Sequence, residues 1–86
     1  MAKMQDVPRK YSKDPIGVVF GATVRRLRER RGWTQEQLAE AAEMSATYVG
    51  FVERGENVPT LTIIFRLADA LEVTPAELID DAARRR

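Results

Sequence analysis

Between Thr34 and Gly55 the chain reads TQEQLAEAAEMSATYVGFVERG, and few structures accommodate that stretch. Thr34 stands three residues before Gln37, the spacing at which a capping box closes a helix N-terminus. Leu38, Ala39 and Ala42 then recur at helical spacing and give that helix an inner face. Met44 sits in the turn as a core plug, and Ser45 caps a second run in which Tyr48, Val49 and Val52 point inward. Gly55 stops it. Isolated helices shorter than roughly 12–15 residues are marginal in water, so neither helix stands alone. The pair must be held as a unit on a larger core.

The flanking sequence supplies that core. Asp14-Pro15 reads as an N-cap followed by proline at the first helical position, and Phe20, Val24 and Leu27 make one stripe. Gly32 ends this first helix after Arg28, Arg30 and Arg31, cations that complement the helix C-terminus. Gly17 and Gly21 weaken its early turns by up to about 1 kcal/mol each relative to alanine, which predicts a start that can slip inward. Glu56 to Pro59 is a loop. Thr60 caps a fourth helix carrying Leu61, Ile64, Leu67, Ala68 and Leu71, Val73 bridges, and Thr74-Pro75 opens a fifth anchored by Leu78 and Ile79. No alternating strand pattern occurs, so the predicted fold is all-α with five helices. Residues 1–13 read as a flexible basic arm, 14–82 as the domain, with its two-helix motif at 34–53, and 83–86 as a basic tail.

Eighty-six residues make one small domain that buries around 60% of its unfolded surface, so marginal stability or dimerisation is expected. The chain has no cysteine and no histidine, which removes disulfides, the usual zinc ligands and the usual catalytic base. With no phosphate loop and no acid pair suited to a cleft, neither an enzyme nor a bound metal or cofactor is expected. No run reaches the ~18 apolar residues of a membrane span. The net charge is only +1, but from Met1 to Arg31 there are nine Lys/Arg against three Asp/Glu. Between Gly32 and Asp81, Arg54 and Arg66 face ten acids, and the chain ends Arg84-Arg85-Arg86. Such asymmetry points to a polyanion on one side, the alternative being ends that serve solubility and helix capping.

Two short capped helices joined by a tight turn form a helix-turn-helix, which lays its second helix in the major groove of DNA. The stretch Phe20 to Ile79 also resembles the lambda-repressor-like, or XRE-type, helix-turn-helix regulators. The resemblance rests on Val24-Arg25-Arg26-Leu27-Arg28, Trp33 to Ala39, Ser45 with Tyr48-Val49, Val52-Glu53-Arg54-Gly55, and Pro59-Thr60-Leu61 leading to Leu67-Ala68-Asp69-Ala70-Leu71. It implies a bacterial or phage transcriptional regulator, cytoplasmic and nucleoid-associated, binding a palindromic operator as a homodimer, often as a repressor. Restriction–modification controller proteins, small phage repressors and antitoxins share this layout. An adaptor that binds a toxin or an RNA polymerase subunit, and reads little DNA, is the competing expectation.

The resemblance also assigns roles. Thr34 and Gln35 would meet a DNA phosphate at the N-terminus of the second helix. Arg28 either joins the phosphate-binding cations or pairs with Glu53, and the resemblance favours the structural pair. Ser45, Ala46, Thr47, Gly50 and Phe51 fall where the recognition helix, 45–54, faces base edges. That set lacks the Arg, Lys, Asn or Gln that normally read bases. Phe51 can pack on thymine methyls or serve as a core or dimer contact. Tyr48 can offer its hydroxyl to a phosphate or simply pack. Arg54 and Asn57 follow the helix where relatives touch the DNA backbone, while Glu56 stands where a cation is common. Arm residues Arg9, Lys10 and Lys13 could enter the minor groove. Phe65, Leu78 and Ile79 are the expected dimerisation residues, the alternative for Leu78 and Ile79 being that they complete the monomer core.

Overall fold

The structure is a computed structural model that describes residues 13–86, so Arg9, Lys10 and nearly all of the expected arm lie outside the described residues. Five helices follow in order: α1 Pro15–Arg30, α2 Gln35–Ala42, α3 Ala46–Glu53, α4 Leu61–Leu71 and α5 Pro75–Arg84, with no strand among the described residues. Each begins at the side-chain oxygen the sequence provides. Asp14 accepts from the Ile16 N–H at 2.8 Å, and Thr34, Ser45, Thr60 and Thr74 each accept from the third residue onward. The boxes at Thr34/Gln37 and Thr74/Glu77 are both reciprocal.

The core lies where all five helices meet. Val24 of α1, Leu38 of α2, Val49 and Val52 of α3, Leu67 of α4 and Leu78 of α5 are essentially inaccessible to water. α1 packs on α3 and α5, α2 on α3 and α4, and α4 on α5, so α3 is gripped from two sides. Thr23 is the core's fully buried polar side chain, and its hydroxyl donates back to the Val19 carbonyl at 2.9 Å. Leu61, which shares the apolar spacing of α4, is instead 70% exposed at the start of that helix. Leu78 corrects a sequence expectation. It sits with Ala82 on the inward side of α5 and completes the monomer core, so it is not on a dimer face.

The glycines of α1 also depart from the sequence reading. α1 starts at Pro15 without slipping inward, and both Gly17 and Gly21 are buried against the α3 end of the molecule. A Cβ at Gly21 would lie 2.0 Å from the Val52 carbonyl oxygen and 2.8 Å from that of Glu53. The missing side chain is what allows α1 to touch the α3 backbone.

Two helix ends are less well served. The left-handed C-cap positions after α2 and α4 are taken by Glu43 and Glu72, both at φ 61, where glycine or asparagine is usual. Glu43 is exposed and sits in the turn between α2 and α3. Glu43→Gly should therefore stabilise the domain by about 0.5–1 kcal/mol, raising the melting temperature by roughly 4 °C. A thermal melt at or below that of the parent would show that the αL strain is relieved elsewhere.

Candidate nucleic-acid interface

The outward face of α3 is set by what its inward face holds. Val49 and Val52 enter the core, and Glu53, one residue on, is turned inward as well with its side chain only 2% exposed. A buried carboxylate needs partners. Arg28 supplies a two-pronged one: Nε donates to Glu53 Oε2 at 2.7 Å and Nη2 to Oε1 at 3.0 Å, while Nη1 donates to the Trp33 carbonyl at 2.7 Å. The Glu53 hydrogen bond raises the Arg28 guanidinium above its ordinary value, against the opposing pull of burial. α1, the start of α2 and the end of α3 are thus fastened at one point.

Gln35 joins the same cluster. Its amide donates to Glu53 Oε1 at 3.0 Å, so the residue expected at a phosphate is directed in this state to the ion pair beneath it. The backbone at the α2 N-terminus stays available: the capping box engages the N–H of Thr34 and of Gln37, leaving those of Gln35 and Glu36 along the helix axis.

The other expected site residues fall into two groups. Thr47 and Phe51 stand on the exposed surface of α3, with Phe51 41% exposed, which removes it from the core. Ser45 is also exposed, though its oxygen already accepts from the Tyr48 N–H at 3.0 Å. Ala46 and Tyr48 are half-buried and packed against the core. The Tyr48 hydroxyl donates to Asn57 Oδ1 at 2.8 Å, and burial pushes its ionisation upward, so it stays a neutral donor. This bond fixes the loop after α3, and among the described residues nothing accepts from the Asn57 amide nitrogen.

Gly50 is not the bare position that the sequence suggests. It is buried beneath Arg54, whose Nη1 lies 2.9 Å from where a Cβ would be. The guanidinium carbon is 5.4 Å from the centre of the Phe51 ring, within cation–π range, and Nη2 lies 3.2 Å from Glu56 Oε1. The Arg54 hydrogen bond holds the Glu56 carboxyl below its usual range. Lys13 closes the group by donating to the Arg54 carbonyl at 2.8 Å.

Among the described residues, most arginines of α1 and α5 are paired with acids. Arg25 pairs with Glu29 at 3.0 Å, Arg26 with Asp81, Arg28 with Glu53, and Arg84 and Arg85 with Asp80 and Asp81. Arg31 stacks 4.4 Å over the Trp33 ring and reaches the Leu71 carbonyl and Glu72. Acids distant in sequence return to meet the α1 arginines, and a run of like charges cannot reveal that. Among the described residues, no helix is long and apolar enough to cross a membrane.

Comparison with known proteins agrees with this geometry. A family profile described as "Helix-turn-helix domain" matches residues 19–80. YazB of Bacillus subtilis, an uncharacterised helix-turn-helix-type transcriptional regulator, is 37% identical over 60 residues, covering 70% of this chain and 87% of that protein. The transcriptional regulator SutR of Escherichia coli is 39% identical over 54 residues, 63% of this chain but only 30% of SutR's own length. Among solved structures, the restriction–modification controller protein C.AhdI from Aeromonas hydrophila superposes with a TM-score of 0.70. It is 44% identical and the match covers 72% of this chain and 94% of that one.

Proposed function

Because the chain belongs to the helix-turn-helix transcriptional regulators, we propose that it binds a palindromic operator as a homodimer, α3 of each copy entering the major groove. The observation that carries this reading is the fastening of α3. A single buried cluster, Arg28–Glu53–Gln35, sets the angle of the helix while Thr47, Phe51 and Arg54 remain outside. Phosphate contacts fit the free N–H groups at the start of α2 and the Asn57 amide. For self-association the support is an apolar patch: Leu61 and Phe65, one turn apart on α4, are 70% and 50% exposed. Ile79, 45% exposed on α5, offers a second contact.

The internal pairing of the α1 arginines favours one other reading, an adaptor that docks a toxin or RNA polymerase subunit and has little DNA affinity. Selection of bound sequences from a random duplex pool, with affinity followed between about 50 and 200 mM salt, separates the two. A regulator returns inverted half-sites with centres about 10 base pairs apart and an affinity that falls steeply with salt. No binding at low salt would leave the adaptor. In the same series, Phe65→Lys should keep the melting temperature but sediment as a monomer. A dimer that persists in Phe65→Lys places the interface elsewhere.

A further inference from the structure

We propose that Arg54 is a base-reading side chain of the recognition helix, carried onto the centre of its face by the absence of a side chain at Gly50. The inference rests on the DNA-binding reading above and assigns Arg54 to base edges rather than to the phosphate backbone. Four residues after Gly50, the Arg54 side chain leans back along α3, as helical side chains lean toward the N-terminus. Its Nη1, Cζ and Nη2 lie 2.9, 3.7 and 3.7 Å from the position a residue-50 Cβ would occupy. The guanidinium thus occupies the place of a side chain at position 50. A glycine inside a helix is destabilising relative to alanine, and here its use is a floor for the arginine.

Two neighbours flank that plane. Phe51 lies to one side, with its ring centre 5.4 Å from Cζ, and Glu56 binds Nη2 at 3.2 Å. A phosphate clamp works through net positive charge, since its affinity comes from released counterions. Paired with Glu56, the Arg54 guanidinium itself adds no net charge, the cation beside it being Lys13 on the Arg54 carbonyl, and the Glu56 carboxylate would stand against a phosphate approaching the fork. A guanine edge makes the opposite demand. Its O6 and N7 accept two parallel N–H donors from a fixed fork, and they need geometry more than charge. Without Arg54, this face offers only the Thr47 and Ser45 hydroxyls, the Ala46 methyl and an aromatic ring, so Arg54 is its one planar donor fork.

The test is selection from a random duplex pool with the parent chain, Arg54→Ala, Arg54→Lys and Gly50→Ala, together with affinities for the selected and a scrambled site. The parent should select a half-site with a marked guanine preference at one pair. Both Arg54 variants should lose that preference, the ratio of selected to scrambled affinity falling about ten-fold, with preferences at other pairs kept. Gly50→Ala meets only the flexible end of Arg54, so it should melt no lower than the parent yet change preference at that same pair. Equal weakening on every sequence, with a shallower salt dependence, would make Arg54 a phosphate contact and overturn the proposal. So would Gly50→Ala selecting the parental site unchanged. If the parent itself selects nothing, the DNA reading fails, and the proposal with it. Failure of the proposal alone appears against intact parental selection, either as a parental site with no guanine preference or in the variants.

Discussion

Glu53→Ala is expected to cost the domain about 3–5 kcal/mol, because it leaves the Arg28 guanidinium buried without its counter-charge. The two side chains are only 2% and 11% exposed, so water cannot replace the lost partner. Small domains have roughly 0.05–0.15 kcal/mol of stability per residue, so a loss of this size removes much of the total. Urea unfolding measures it directly. An Arg28→Met/Glu53→Met pair should be less destabilised than Glu53→Ala, since no charge is then stranded. DNA affinity in Glu53→Ala should fall alike on every sequence, because the angle of α3 and the folded population change but the reading side chains do not. A Glu53→Ala protein within about 1 kcal/mol of the parent, and with unchanged DNA affinity, would mean that α3 is held by its valines alone.

Gly21→Ala has the other large expected effect, and propensity predicts the opposite sign. Alanine is the better helix former by up to about 1 kcal/mol. Yet its methyl would sit 2.0 Å from the Val52 carbonyl oxygen, a backbone atom that cannot turn aside. α1 would have to be pushed off α3, at a cost near the upper end of overpacking, about 3 kcal/mol. For a domain of this size that lowers the melting temperature by roughly 12–24 °C. The same substitution at Gly50 provides the control, because its neighbour is the flexible tip of Arg54. Thermal melts of the two variants should move apart; a Gly21→Ala protein as stable as the parent would remove the α1–α3 contact as the reason for that glycine.

These two residues also mark the boundary of what the chain discloses unaided. Helix starts and periodic faces are local matters, a hydroxyl or carboxylate two or three residues from an orphan N–H and apolar residues every three or four positions. Asp14, Thr34, Ser45, Thr60 and Thr74 therefore place all five helices, and Val24, Leu38, Val49, Leu67 and Leu71 mark their core faces. Family likeness adds the recognition helix. None of this reports distances between helices. Gly21 reads as a weak point because the Val52 carbonyl it accommodates lies 31 positions away. Leu78 and Ile79 read alike, and a rotation of one residue about α5 buries the first and exposes the second. The α1 arginines read as a surface for polyanions until folding brings Glu53 and Asp81 to them.

The reading face shows the same division. Sequence alone makes α3 a recognition helix that lacks base-reading groups, since Gly50 has nothing to offer and Arg54 lies a full turn beyond it. Tertiary structure places the guanidinium over the glycine, with Phe51 beside it and Glu56 at its edge. Local rules determine where helices begin and which side of each is apolar, because those choices depend on neighbours within a few residues. The position of a long, flexible charged side chain depends on whatever surfaces the fold brings within its reach, and only the assembled helices supply those.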